Sequence, residues 1–356
     1  MKILTVNSSP RAGAGSSTEF LLNHLAQGMR ETGAEVCTVN LREKNIKPCL
    51  GCFTCWTKTP GRCIQMDDMT FELLPKLLAS DLVVYATPLY YNTMNGAMSI
   101  FRERMLPLSL PFMEKRDGKR TFLMRHKLAP AVWLSVCALP EISEFDALSN
   151  LLESTRHFDT PIVAEIYRTS SEALRHRVFK KTLSDILEAT AHAGKELVRS
   201  MKISPDTMER IMQPLMDPES LAIIGNLTCK TCIAENVTFK EFFEKGMTPR
   251  PDSLEAFMAY SVLGLNASAT GGKKVILQFR FAGEVEAACY FTFERGSIKA
   301  TAGTSNTYDI AIKTSFELWM DIITGKAEGR EMFMLDKYQV EGDLSLMLQL
   351  FKSEGN

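Results

Sequence analysis

Strands and helices alternate over roughly residues 1–200, and this alternation restricts the fold more than any other feature of the chain. Residues 2–7 form a short β-branched run ending at Ser8-Ser9-Pro10. Ser16 and Glu19 stand at capping-box spacing, and Leu22, Leu25, Ala26 and Met29 then recur at helical spacing until Gly33. Glu35–Val39 reads as a second strand, Met69–Leu78 as a helix and Asp81–Ala86 (DLVVYA) as a third strand. The series continues with a helix over Met94–Met105, a strand at Ala131–Cys137 and a helix near Glu144–Thr155. A strand around Pro161–Tyr167 and a long helix over Phe179–Met201 complete it. Strands separated by helices of this length predict a parallel sheet covered on both faces, the doubly wound α/β arrangement. Ligands of such sheets sit beyond the carboxyl ends of the strands.

At 356 residues the chain predicts two domains of roughly 100–200 residues each. With 45% hydrophobic and 23% charged residues it can bury an ordinary core. A formal charge of −1 gives no electrostatic case for nucleic acid or for an acidic membrane surface. No run of 18 apolar residues is present to span a bilayer. The first residues have neither the apolar length nor the cleavage site of a signal peptide, which predicts a cytoplasmic protein. In that compartment the nine cysteines read as reduced thiols or metal ligands, not as a disulfide framework.

Two loops of the first half carry chemistry. In NSSPRAGAGSSTEFLL, residues 7–22, Gly13, Gly15 and Arg11 precede the hydroxyl residues Ser16, Ser17 and Thr18 at the opening of a helix. Free N–H groups at a helix N-terminus favour an anion, and hydroxyls and a guanidinium add charge-assisted contacts. The plainer alternative is a Ser16 cap with Arg11 in solvent. The loop has no Gly-Lys-Ser/Thr ending of a Walker motif and no G-x-G-x-x-G spacing. The third strand leads into TPLYYNTMNGAMSIFRER, residues 87–104, with Pro88, Leu89, Tyr90, Tyr91 and Asn92 where a ligand would meet the sheet edge. Tyrosines can stack on a flat ring while backbone amides bond its polar edge, although an ordinary loop carries tyrosines too.

Between these loops lies a third, with Cys49, Cys52, Cys55 and Cys63 in C-x2-C-x2-C-x7-C spacing. Structural zinc sites pair two close knuckles across a longer insert, whereas two successive x2 gaps are like the ferredoxin run around a cubane. Pro60 and Gly61 permit the turn to the fourth cysteine, and Phe53 and Trp56 would shield the site. An iron–sulfur cluster, zinc and free or redox-cycling thiols all remain open on spacing alone. Cys37, Cys137 and Cys289 fall in strands and read as small buried hydrophobes. Cys229-Lys230-Thr231-Cys232 is a lone C-x-x-C, read as incidental with a redox pair as the alternative. None of the five histidines stands out as a catalytic acid or base.

Together the SPR…SST loop, the TPLYY loop with a helix ending in an Arg-x-Arg pair, and the KPCLGCFTCW…C…DDM segment resemble one family. It is the NADPH-dependent FMN reductase and iron–sulfur flavoprotein branch of the flavodoxin-like fold. The resemblance covers roughly residues 1–200. It implies FMN, with its phosphate on Ser9, Arg11, Ser16, Ser17 and Thr18 and its ring along Pro88–Asn92. It also implies a 4Fe–4S cluster held by Cys49, Cys52, Cys55 and Cys63, NAD(P)H as a candidate electron donor, and a homo-oligomer.

The periodicity changes in the second half. Pro205, Pro214 and Pro218 fall in a connector, and the domains are read as 1–203 and 238–356 with 204–237 between them. Val275, Leu277, Phe279 and Phe281 alternate with Lys274, Ile276, Gln278 and Arg280, giving one apolar strand face. Glu286–Phe293 is a similar strand ending at the turn signal Arg295-Gly296, and Asp309–Lys313 is another. Phe316, Trp319, Met320 and Ile323 then follow helical spacing up to Gly325, and Leu344, Met347, Leu348 and Phe351 repeat it after Gly342-Asp343. Hairpins followed by helices predict an α+β domain. The segments KKVILQFRFAGEVEAACYFTFERG, YDIAIKTSFELWMDIITGKAEG and LDKYQVEGDLSLMLQLFK resemble the sterol carrier protein type 2 domain, which implies an apolar tunnel for a lipid or acyl chain. The same apolar residues would also serve as plain core.

Three functions compete on this reading. One is an electron-transfer flavoprotein with FMN and a cluster. The others are an NAD(P)H-dependent FMN or quinone reductase without a cluster, and a lipid carrier on a flavodoxin-like scaffold.

Overall fold

The computed structural model describes residues 1–116, 118–154, 161–174, 176–283 and 286–352. The chain divides into two compact units, Met1–Leu215 and Met216–Asn356.

The first unit opens with β1 (Lys2–Asn7), α1 (Ser17–Glu31) and β2 (Glu35–Asn40). After the cysteine loop, one π-helical turn at Met69–Leu73 runs into α2 (Leu74–Leu78). β3 (Leu82–Tyr90), β4 (Thr93–Met94), α3 (Gly96–Glu103) and a hairpin of β5 (Ser109–Arg116) and β6 (Lys119–Met124) follow. β7 (Ala131–Val136), α4 (Asp146–Ser154), β8 (Ile162–Arg168), α5 (Lys180–Ser200) and α6 (Pro205–Met212) complete the unit. Thr155, the last residue of one expected helix, lies outside the described residues.

The parallel strands stand in the order β2-β1-β3-β7-β8, with β4 paired antiparallel to the end of β3. This is the flavodoxin-like order, whose switch point lies between β1 and β3. Both faces are buried, as continuous apolar strands require. Leu4, Val6, Val83, Tyr85 and Trp133 pack with α2, α3 and α4 on one face. Ile3, Leu82, Val84, Val132 and Leu134 pack with α1, α5 and α6 on the other. Helices α1 and α5 pack so closely that a Cβ on Gly28 would stand 1.7 Å from the carbonyl oxygen of Ala191.

Two expectations need correction in this unit, and one hairpin is an addition to them. The third strand does not end at Ala86 but runs to Tyr90, because its last two residues pair with β4. The β5–β6 hairpin was not anticipated. Cys37 is exposed, because β2 is the edge of the sheet and half of its residues are open to solvent.

The second unit begins with α7 (Pro218–Ala234), α8 (Phe239–Glu244) and α9 (Leu254–Gly264). A five-stranded sheet follows, of β9 (Val275–Phe281), β10 (Ala287–Glu294), β11 (Ser297–Ala302), β12 (Ile310–Thr314) and, after α10 (Phe316–Ile323) and α11 (Gly329–Met334), β13 (Gln339–Gly342). The chain then forms α12 (Leu344–Leu350). The order is β11-β10-β9-β12-β13, with β9 and β12 parallel and the other neighbours antiparallel. Arg295 (φ 51°) and Gly296 (φ 79°) turn β10 into β11 as a two-residue hairpin of primed type. Val275, Leu277, Phe279 and Phe281 are buried on one core with Phe257, Phe291, Phe316, Trp319 and Met347. On α12, however, Leu344 and Leu348 are exposed while Met347 and Leu350 are buried. The helix is apolar on two faces, so its spacing allowed either stripe. Cys229 and Cys232 lie within α7, one exposed and one buried, not in an irregular linker. Among the described residues no helix is long and apolar enough to cross a membrane.

Candidate functional site

Three loops leave the carboxyl ends of the adjacent strands β2, β1 and β3, and these are the loops that carry the candidate residues. The loop after β1 is tied down by its own hydroxyls. Ser8 N–H donates to the Ala86 carbonyl at the matching point of β3 (2.9 Å). Ser9, Ser16, Ser17 and Thr18 are all buried. Ser16 Oγ donates to Ser9 Oγ (2.8 Å) and accepts the Glu19 N–H (3.0 Å), so Ser16 caps α1. Ser17 Oγ donates to the Ser171 carbonyl (3.0 Å). The Glu19 carboxylate does not close the capping box. It turns to Arg42 (2.8 Å), whose guanidinium also donates to the Arg11 carbonyl (3.2 Å). Arg11 is more than half exposed and pairs with Glu172 at 3.0 Å. The hydroxyls and the opening of α1 therefore converge, while Arg11 stands at the rim.

The loop after β3 is a tight hairpin. Tyr91 (φ 49°) and Asn92 (φ 59°) occupy left-handed positions between Tyr90 and Thr93, which pair across it. Pro88 lies in the sheet opposite Val136 of β7, and Leu89 is half-buried. Tyr90 is partly exposed and Tyr91 wholly so. Asn92 Nδ2 donates to a Glu144 carboxylate oxygen at 2.9 Å. Asn95, unassigned from sequence, joins the first two loops. Its Oδ1 caps α3 at Met98 N–H (3.2 Å), and its Nδ2 donates to the Ser8 carbonyl (2.7 Å). An Asn-Gly pair opening a helix was the available signal.

In the cysteine loop, Gly51 (φ 62°), Phe53 (φ 52°) and Gly61 (φ 80°) take left-handed conformations that let the chain double back. The Gly61 N–H closes the turn on the Cys55 carbonyl (2.9 Å). One pocket, partly open to solvent, is lined by Cys49, Cys52, Cys55 and Cys63 together with Phe53 and Arg104. Cys55 is the buried member, and burial and then the neighbouring Cys63, Cys49 and Cys52 raise its pKa. Thr54 donates to Cys52 Sγ (3.3 Å) and lowers that thiol's pKa. Trp56 does not line the cavity. Its indole N–H donates to the Leu106 carbonyl and to Ser109 Oγ, both at 3.2 Å, and its ring packs on Phe122, so it tethers the loop to the hairpin.

The other wall comes from the Arg-x-Arg and DDM motifs, whose residues had no assigned role. Arg104 is 1% exposed and forms a two-pronged ion pair with Asp67 (2.6 and 2.9 Å). Burial alone would raise the Asp67 pKa, but Arg104 and the N–H groups of Lys47 and Thr70 hold it below the usual carboxylate range. Among the described residues, no three His, Cys, Asp or Glu side chains gather closely enough for one metal ion. Ligands on the separate irons of a cubane stand further apart than ligands on one ion, and four thiols around one cavity fit that donor set. Cys137, buried just past β7, is pushed up to about 11 by desolvation, and Cys289, in β10, to about 12. Both are buried free thiols.

Residues 1–124 match the NADPH-dependent FMN reductase family. Residues 267–352 match the SCP-2 sterol transfer family. An iron–sulfur flavoprotein of Archaeoglobus fulgidus is 37% identical over 107 residues, which is 30% of this chain and 46% of that protein. Another, of Methanocaldococcus jannaschii, is 29% identical over 112 residues, 32% of this chain and 55% of that protein. The chain spans about half the length of these curated relatives. Among solved structures, an NAD(P)H:quinone oxidoreductase from Methanothermobacter marburgensis aligns over 55% of this chain and 96% of its own, at 14% identity and a TM-score of 0.43.

Proposed function

We propose that this chain is an FMN-dependent oxidoreductase whose cysteine loop holds a 4Fe–4S cluster and whose two cofactors exchange electrons. The observation that carries this reading is the arrangement of the four cysteines around one cavity, on the loop beside the one that gathers Ser9, Ser16, Ser17 and Thr18. Those hydroxyls, the opening of α1 and Arg11 would hold the FMN phosphate. Pro88, Leu89, Tyr90, Tyr91 and Asn92 would run along the ring. Cys49, Cys52, Cys55 and Cys63 would bind the cluster. When bound, FMN supplies one- or two-electron exchange and the cluster one-electron exchange. The chain's own part is to bind and orient them: Asn95 fixes the hairpin against the phosphate loop, and Trp56 fixes the cysteine loop against the hairpin of β5 and β6.

The family match supports NAD(P)H as the electron donor. Exposed apolar side chains on and near the cysteine loop, Leu50, Phe53, Ile64 and Met66, support a homo-oligomer. For the second unit we infer a binding module for a lipid or acyl chain. Among the described residues the buried Trp319 indole N–H has no acceptor, and a ligand's polar end would satisfy it. Displacement of a fluorescent fatty acid, weakened in Trp319→Phe, tests that module.

Anaerobic reconstitution with FMN, ferrous iron and sulfide tests the main reading. It should give one FMN and four irons with four sulfides per chain. Flavin without iron would leave a plain flavin reductase, and zinc without sulfide a zinc site.

A further inference from the structure

Cys63 differs from the other three thiols of its loop. Its sulfur accepts the Gln65 N–H and, from across the cavity, Arg104 Nη2, both at 3.5 Å. The guanidinium that reaches it is held firmly. Nη1 donates to the Lys47 carbonyl (2.7 Å) and to Asp67 Oδ2 (2.6 Å). Nη2 donates to Asp67 Oδ1 (2.9 Å), to Thr70 Oγ1 (3.3 Å) and to the sulfur. The side chains of Arg104 and Asp67 are 1% and 0% exposed. A buried ion pair contributes little net stability compared with apolar residues of the same volume, because both charges lose their hydration. Stability alone is thus a poor reason to build this pair against a cysteine. The pair also has a direction, since Arg104 and not Asp67 is the member in contact with the sulfur.

We infer that Arg104 is a positioning residue that sets the reduction potential of the iron–sulfur centre through Cys63, an inference that rests on the cluster reading above. Reduction adds one electron and makes the centre one unit more negative, with no bond made or broken. A cationic N–H donor on a ligand sulfur stabilises that extra charge and raises the potential. The Asp67 carboxylate offsets the field of the guanidinium at a distance, but the hydrogen bond acts at contact. The assignment therefore predicts a local effect on the cluster and none on the flavin potential.

The test uses the full chain, reconstituted anaerobically with FMN, ferrous iron and sulfide, titrated with dithionite and followed by EPR. Iron and sulfide in the wild type are measured first. Arg104→Lys keeps a cation opposite Asp67 but loses the fork that reaches the sulfur. Arg104→Gln combined with Asp67→Asn replaces the pair by two amides and strands no buried charge. Both variants should retain four irons and four sulfides. Reduction of the double variant should be about tenfold less favourable, about 59 mV more negative for one electron, with Arg104→Lys shifted the same way by less. The flavin midpoint should not move. An unchanged cluster midpoint with full iron overturns the inference. So does loss of iron from both variants, which would make Arg104 a support for the loop's shape. A wild type without iron and sulfide overturns the cluster reading itself, and this inference with it.

Discussion

Replacing Glu172 by glutamine should tighten FMN binding, although Glu172 is not among the proposed FMN ligands. Its carboxylate holds Arg11 at 3.0 Å, with the two side chains 55% and 56% exposed. At that distance in water the bare attraction is about 1.4 kcal/mol, and exposed pairs retain about 0.2–1 kcal/mol after side-chain ordering. A hydrogen bond from Arg11 to a phosphate is worth about 1.5–3 kcal/mol. FMN must draw Arg11 from Glu172, so the net gain is smaller than the full bond. Arg11→Ala should weaken FMN by about 1–2 kcal/mol, about five- to thirtyfold. Glu172→Gln should tighten it by up to about 1 kcal/mol, about fivefold, because the competitor and a repelling charge are both removed. The double variant should match Arg11→Ala, since Glu172 acts largely through Arg11. Quenching of FMN fluorescence by apoprotein measures all four affinities, and the Glu172 effect should shrink in high salt. Weaker binding in Glu172→Gln, or unchanged binding in Arg11→Ala, would remove Arg11 from the phosphate site.

Other consequences follow from the same geometry. Cys55→Ser, at the buried cysteine of the cavity, should yield yellow protein lacking iron and sulfide, whereas Cys137→Ser should keep both; equal iron in the two variants would contradict the assignment. Gly28→Ala drives a Cβ against the backbone of α5 and should cost about 1–3 kcal/mol in urea unfolding. Gly225→Ala, in α7 with nothing within 4 Å of its Cβ, should gain up to about 1 kcal/mol. The Asp67 carboxyl is held below its unfolded value, so its contribution is present above about pH 4 and fades as pH falls through the lower folded value. The urea midpoint of metal-free protein should fall on acidification in that range, and less so in the double variant of Asp67→Asn with Arg104→Gln.

The sheet was legible because burial on both faces leaves unbroken apolar runs such as Leu82–Ala86, and because Ser16 caps its helix by a local bond. The β5–β6 hairpin carried a readable signal too, two short apolar runs around Asp117-Gly118, the aspartate lying outside the described residues. Other features depend on which segments meet. Cys37 is exposed only because its strand takes the edge. Arg104 finds Asp67 across 37 positions and Arg11 finds Glu172 across 161, and no local pattern encodes such pairs. The same holds for Arg168, which ends β8 fully buried and donates to the carbonyls of Ile211 and Gln213. Burial lowers its pKa to about 10. The four cysteines were visible as a motif, but that they line one cavity with Arg104 is a property of the folded loop.

Counting electrons tests the central claim most directly. Anaerobically reconstituted protein titrated with dithionite should take up three electrons per chain, two into FMN and one into the cluster. Flavin bleaching and cluster reduction should be followed separately, by absorbance and by EPR. An uptake of two electrons per chain, complete when the flavin is bleached and with no cluster signal, would contradict the account.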